Sequence, residues 1–217
     1  MEFILFMLFS TLETAAMYYL MFRIYKFDIY ALSIFFTSLI ASYISYTLRV
    51  HYQLPGVDML VQILLMTAFV WLLFRVPLFY AALMTGTAYI FYILIQLAYY
   101  LALNTSGLIA TVPQLDAAGT YLMQSLSLLT AWWIGWIVHR RGKGFSFVPH
   151  NPNEKVVLDR RSMILLYLYV PALLCAGLLY YLISTSRYSL FFLIPAVLGL
   201  VLAAMVFWSY RRDRIDD

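Results

Sequence analysis

Apolar runs long enough to cross a bilayer recur along this chain, and no other feature narrows its possible folds so far. A hydrocarbon core ~30 Å thick, divided by a rise of 1.5 Å per residue, requires about 20 apolar residues in a helix. Seven runs meet or approach that length: Phe3–Phe22, Ile29–Leu48, Met59–Phe74, Leu78–Leu103, Ala118–Val138, Met163–Ile183 and Leu190–Tyr210. The third is short and the fourth long, which calls for tilt or shifted ends. Without water in the hydrocarbon region, each run must satisfy its own main chain as a helix. The expected fold is all-α, a polytopic transmembrane helix bundle of about seven spans in one domain over residues 1–217.

Composition agrees. Hydrophobic residues make up 65% of the chain and charged residues 11%, against roughly 25% charged in a soluble domain. A soluble fold of this size lacks the polar residues to cover its surface. The start, Met1-Glu2, has no basic region, and the run that follows outlasts a signal peptide, so it reads as the first span. The lone Cys175 excludes a disulfide framework and a thiolate cluster and reads as a small buried hydrophobe.

Orientation follows from the basic residues, which favour cytoplasmic loops. With the amino terminus outside and the carboxyl terminus inside, the inner segments hold Arg23, Lys26, Arg75, Arg140, Arg141, Lys143, Lys155, Arg160, Arg161, Arg211, Arg212 and Arg214, and the outer loops hold Arg49 and Arg187. Trp71, Trp132, Trp133, Trp136 and Trp208 then all fall near cytoplasmic helix ends, where indole prefers to sit. The inner loop 139–162 carries six basic residues against Glu154 and Asp159. Such a loop is drawn to anionic lipids of the inner leaflet. Arg140, Arg141, Lys143, Arg160 and Arg161 are thus candidates for contact with lipid or with a cytoplasmic partner.

Within the spans, Glu13 is the one acidic residue deep in an apolar run. A charge at the bilayer centre costs about 2.5–3.5 kcal/mol on insertion scales, so Glu13 is expected to face the bundle. It is either a ligand- or proton-responsive carboxyl or a packing contact with a neighbouring helix. Gln53, Gln62, Gln96, Gln114 and Gln124 all lie in the outer half or outer loops. Side-chain amides in a span need partners or water. One arrangement that satisfies them is a cavity open to the outside, lined by Gln62, Gln96, Tyr100 and Gln124, with Arg49, Asp58, Asp116 and Arg187 near its mouth. The alternative is that the glutamines bridge helices and the outer tyrosines form an interfacial belt. Pro171 and Pro195 lie inside the sixth and seventh spans, where proline favours a kink.

Enzyme signatures are missing. No zinc helix of the His-Glu-x-x-His type occurs, nor a Gly-x-Ser-x-Gly nucleophile elbow. His51, His139 and His150 lie in loops or at helix ends, and no lysine lies in a span. No catalytic residue, metal, cofactor or nucleic-acid partner is expected. Association into homo-oligomers stays open.

Seven spans in about 210 residues, the short Phe74-Arg75-Val76-Pro77-Leu78 connection, the basic loop after the fifth span and the ending Trp208-Ser209-Tyr210-Arg211-Arg212 together resemble the membrane sensor region of Agr-type peptide-pheromone histidine kinases. The resemblance covers nearly the whole chain and rests on layout. It implies an extracellular peptide as ligand and a cytoplasmic kinase as the output. The sequence reaches Asp217 without a phosphoacceptor region or a Gly-rich ATP lid. If complete, the chain would signal through a partner; if it is a fragment, the missing part carries the catalysis.

The leading expectation is a multi-pass cell-membrane sensor or receptor-like subunit that binds an extracellular amphiphile or peptide and signals to a cytoplasmic protein. The alternatives are a small transport component, such as a carrier or a substrate-capture subunit of a transport ATPase, and a structural protein of a membrane assembly. A carrier should show repeats or broken midplane helices; Pro113-Gln114 faintly resembles a sugar-carrier pair but occurs once.

Overall fold

A computed structural model describes residues 2–105, 117–148 and 193–216. The described regular structure is entirely helical: α1 (Glu2–Ile24), α2 (Ala31–Tyr46) running on into a π turn (Thr47–His51), α3 (Pro55–Leu72), α4 (Leu78–Thr105), α5 (Ala117–Arg140) and α6 (Leu193–Asp216). Helices α1 to α5 are each long and apolar enough to cross a membrane, and α6 contains a shorter apolar stretch, Ala196–Arg211. α6 corresponds to the seventh expected run. The sixth, Met163–Ile183, lies outside the described residues, as do Cys175, Arg160, Arg161 and Arg187.

Three helix ends differ from the expected ones. α3 starts at Pro55 rather than Met59, because proline suits the first helical position, where no amide hydrogen is needed. α3 is therefore not short, and Asp58 belongs to its first turn. α4 runs on to Thr105. α2 ends in five residues of π-helix, a widened turn that shifts the side chains beyond it and occurs often at functional sites.

Ring contacts establish how the helices alternate. Phe22 near the end of α1 meets Phe74 just beyond α3, at 4.9 Å between centroids, and Tyr30 before α2 lies 6.2 Å from the same ring. Arg23 Nη1 is 3.0 Å from His139 Nδ1 near the end of α5. At the opposite end, Phe3 and Phe6 pack edge-on to Tyr46, and Phe9 stacks on Tyr121. α1 to α5 thus run alternately up and down. One end gathers Arg23, Lys26, Arg75, Arg140, Arg141 and Lys143; Arg49 stands at the other. Trp71, Trp132, Trp133 and Trp136 all sit on the half of the bundle nearer the basic end and point outward.

α1 is the central post. Tyr18, Leu20, Met21 and Phe22 are fully buried, and α1 packs against α2, α4 and α5. Burial on several sides follows from a helix that is apolar all round. α4 is the most enclosed of the five long helices. α6 packs against α4 and buries Leu198, Leu202 and Met205, which fall at helical spacing on one face. The outward faces are apolar: Leu32, Phe35, Phe36, Leu60, Leu64 and Leu129 are all exposed. Water would penalise such a surface, whereas lipid tails suit it.

The start of the basic loop is partly packed into the bundle. Arg140, Arg141 and Lys143 are exposed, but the chain then turns back and buries Phe145, Phe147 and Val148. The Phe145 amide donates to the Ile24 carbonyl at 2.7 Å, and Tyr25 lies within 5.9 Å of both the Phe145 and Phe147 rings. Gly144 permits this approach. A Cβ there would lie 2.9 Å from the Ile24 carbonyl oxygen, in a backbone conformation with φ of +157°. This strap ties the end of α5 to the end of α1.

Candidate functional site

A polar cluster interrupts the apolar interior on the half of the bundle opposite the basic end. α1 supplies Glu13, α4 supplies Gln96 and α5 supplies Gln124. Gln96 Nε2 donates to Glu13 Oε1 at 2.7 Å, and Gln124 Nε2 donates to Oε2 at 3.0 Å. Each oxygen of the carboxyl group therefore accepts one amide hydrogen from a different helix. Tyr92, one turn before Gln96, adjoins the same carboxyl group, and its buried hydroxyl has no hydrogen-bond partner of good geometry among the described residues. Gln124 is buried, while Glu13 and Gln96 are only half-buried, so part of the cluster opens onto space beside the helices.

A second group lies between α2 and α3. Asp58 is fully buried and forms the only ion pair among the described residues, with Arg49 Nε donating to its Oδ2. Ser45 Oγ donates to the same oxygen at 2.9 Å. Gln62 Nε2 donates to the Ala41 carbonyl at 2.8 Å and makes a longer contact, 3.4 Å, with Asp58 Oδ1. The π turn carries Arg49, and the short α2–α3 connection, with Gln53 at φ +53°, brings α3 back beside it.

Arg49 joins the two groups. Besides its bond to Asp58, its guanidinium interacts electrostatically with Glu13 and Tyr89. One cation therefore acts on two carboxyl groups carried by different helices, bonded to Asp58 and electrostatically coupled to Glu13. Its side chain is 46% exposed, and its one described hydrogen bond is the one that Nε donates to Asp58. In chemical terms the site presents carboxyl oxygens to an ammonium or amide group and guanidinium hydrogens to a carboxylate or carbonyl. Peptide-like molecules carry both kinds of group.

The structure thus brings together Glu13, Gln96 and Gln124 and places Arg49 within reach of them. It separates Gln62, which is occupied with the Ala41 carbonyl on the far side of Asp58. Tyr100 is half-buried and packs against the hydrophobic core, and Arg187 lies outside the described residues. Asp58, expected near a solvated mouth, is instead the most deeply buried member. Two pairs at helical spacing, Ser45 with Arg49 and Asp58 with Gln62, signal that α2 and α3 meet through polar faces; Tyr92 with Gln96 is a third. Among the described residues no three His, Cys, Asp or Glu side chains come together as a metal site.

Comparison with protein-family models, with curated proteins and with solved structures returns no match.

Proposed function

We propose that this chain is a multi-pass membrane sensor of seven spans, with its amino terminus outside, its basic end in the cytoplasm and a peptide-like or amphiphilic ligand bound at the Glu13–Arg49 cluster. The observation that carries this reading is Glu13 of α1 clasped by amides from α4 and α5, with the half-exposed Arg49 bonded to Asp58 and electrostatically coupled to Glu13. A ligand that engages Glu13 or Arg49 competes with bonds that hold four helices and the π turn together. Only such differential affinity for two arrangements shifts a population. The layout resemblance to the sensor region of Agr-type kinases supports the same ligand class.

The route to the cytoplasm is α1. About 16 Å of helix separates Glu13 from Ile24 at 1.5 Å per residue, and Ile24 carries the strap that continues into the basic loop. A shift of α1 against α5 displaces the strap's anchor, and Arg140, Arg141 and Lys143 beside it offer cations to an acidic partner surface.

The test is purification from the native membrane in mild detergent, with co-purifying proteins identified by mass spectrometry. A histidine kinase or response regulator that leaves with the chain, and whose phosphorylation loses ligand response in Glu13→Gln, supports the reading. A transport ATPase in its place refutes it and makes the chain a substrate-capture subunit.

A further inference from the structure

We propose that the lateral groove between α1, α2 and α5 is a binding site for one anionic phospholipid, with an acyl chain in the groove and the phosphate on Arg23. The groove has a volume of about 400 Å³ and is lined by Leu12, Ala16, Ala31, Ile34, Leu128 and Trp132, with Tyr19 at its basic end. That volume falls among small-molecule sites, roughly 300–1,000 Å³, and the wall is almost wholly apolar. It lies on the half of the bundle nearer the basic end, one to two helical turns from Arg23 and His139.

Charge decides what kind of lipid suits it. The Tyr19 ring packs closely against Gly135, where a Cβ would fall 2.8 Å from Tyr19 Cε1. It is 5.7 Å from the Trp132 ring on one side and 5.3 Å from the Arg23 guanidinium on the other. Groove, aromatic pair and cation therefore form one continuous surface along the membrane normal. Among the described residues Arg23 makes no ion pair, and its Nε is buried without a hydrogen-bond partner. Its one described side-chain bond, 3.0 Å to His139 Nδ1, requires that nitrogen to accept, which places the imidazole hydrogen on Nε2 as a second donor. Lys26 and Arg140 add positive charge close by. Asp28, the nearest acidic residue in sequence, lines a different pocket together with Arg75. A zwitterionic headgroup would bring its own ammonium to a site already cationic; a phosphatidylglycerol headgroup brings only the phosphate.

The test is native mass spectrometry of the detergent-purified protein titrated with dioleoyl-phosphatidylglycerol or dioleoyl-phosphatidylcholine. One phosphatidylglycerol is expected to stay bound at activation energies that strip phosphatidylcholine. Arg23→Gln is expected to lower that preference about fivefold, the effect of one basic residue at a membrane surface. Ala31→Trp, at an exposed position on the groove wall, is expected to reduce the number of retained lipids by one. Leu64→Trp, on the exposed face of α3, leaves it unchanged. An unaltered lipid count in Ala31→Trp, or an unaltered preference in folded Arg23→Gln, overturns the proposal in favour of non-selective annular lipid. If Arg23→Gln does not fold, Ala31→Trp decides alone.

Discussion

Replacing Asp58 by asparagine removes one negative charge from a position with no solvent exposure while leaving shape and volume almost unchanged. The carboxylate accepts from Arg49 Nε and from Ser45 Oγ, with a longer contact to Gln62. Breaking a fully buried ion pair costs about 3–5 kcal/mol, and an exposed pair is worth about 0–1 kcal/mol. Here one partner is fully buried and the other 46% exposed, so the guanidinium regains part of its hydration. Asparagine still accepts from Ser45, a bond worth about 0.6 kcal/mol between membrane helices. The expected loss is therefore about 2 kcal/mol, roughly a 30-fold change in the folded-to-unfolded ratio. Reversible unfolding in mixed micelles with rising dodecyl sulfate measures it for Asp58→Asn, Arg49→Gln and the double variant. The two single losses should overlap by about 1–2 kcal/mol, because either one removes the same pair. Losses that simply add, within about 0.3 kcal/mol, would refute the pairing as a source of stability.

The same unfolding assay applied to Gln124→Leu should show a loss of about 1 kcal/mol, since one Glu13 oxygen is left without its donor. Adding Glu13→Leu should recover most of that loss, and a further drop would count against the clasp. Gly144→Val should free the strap from the Ile24 carbonyl and speed tryptic cleavage after Arg141 and Lys143 several-fold in detergent; equal cleavage rates would mean that the strap does not restrain the loop. In a Cys175→Ala background, Gln53→Cys should react with a membrane-impermeant maleimide in intact cells, and Lys143→Cys only after permeabilisation. The reverse pattern would invert the proposed topology.

Five helices long enough to cross a membrane were legible in the sequence, because hydrocarbon thickness imposes a length that composition alone reveals, and the alternating placement of basic residues matches which ends of those helices lie together. The carboxyl group at Glu13 announced itself, since an apolar run tolerates one only with partners, and the amides of Gln96 and Gln124 were the partners available at its depth. Gln62 looked like the same kind of residue, yet it bonds a main-chain carbonyl, that of Ala41, and no side-chain pattern reveals such an acceptor. By composition, the charge at Asp58 ends an apolar run and belongs to a loop; Pro55 starts the helix four residues before Met59, and Arg49 makes burial of the charge tolerable. The π turn depends on how α2 meets α3, a tertiary matter. The strap was hidden because its basic neighbours dominate the composition of the loop, while Phe145, Phe147 and Val148 carry its packing.

Arg49 links the two polar groups. Arg49 is half exposed and Glu13 partly accessible, while Asp58 is sealed. Asp58 is the bonded partner of Arg49, whereas the Glu13 oxygens are bonded to the two glutamine amides. Loss of the Arg49–Asp58 pair, worth about 2 kcal/mol, changes an equilibrium roughly 30-fold. Moving a population from 1:99 to 99:1 requires about 5.5 kcal/mol of differential binding. A ligand touching Arg49 alone falls short of that. One that also replaces the Gln96 and Gln124 amides on Glu13 must bond it more strongly than they do, since only the difference between new and displaced bonds counts toward the shift. Under the proposed sensor function, switching therefore calls for a ligand that engages Arg49 and Glu13 together, with a cationic or amide group and an anionic or carbonyl group held close, as the backbone and termini of a short peptide hold them.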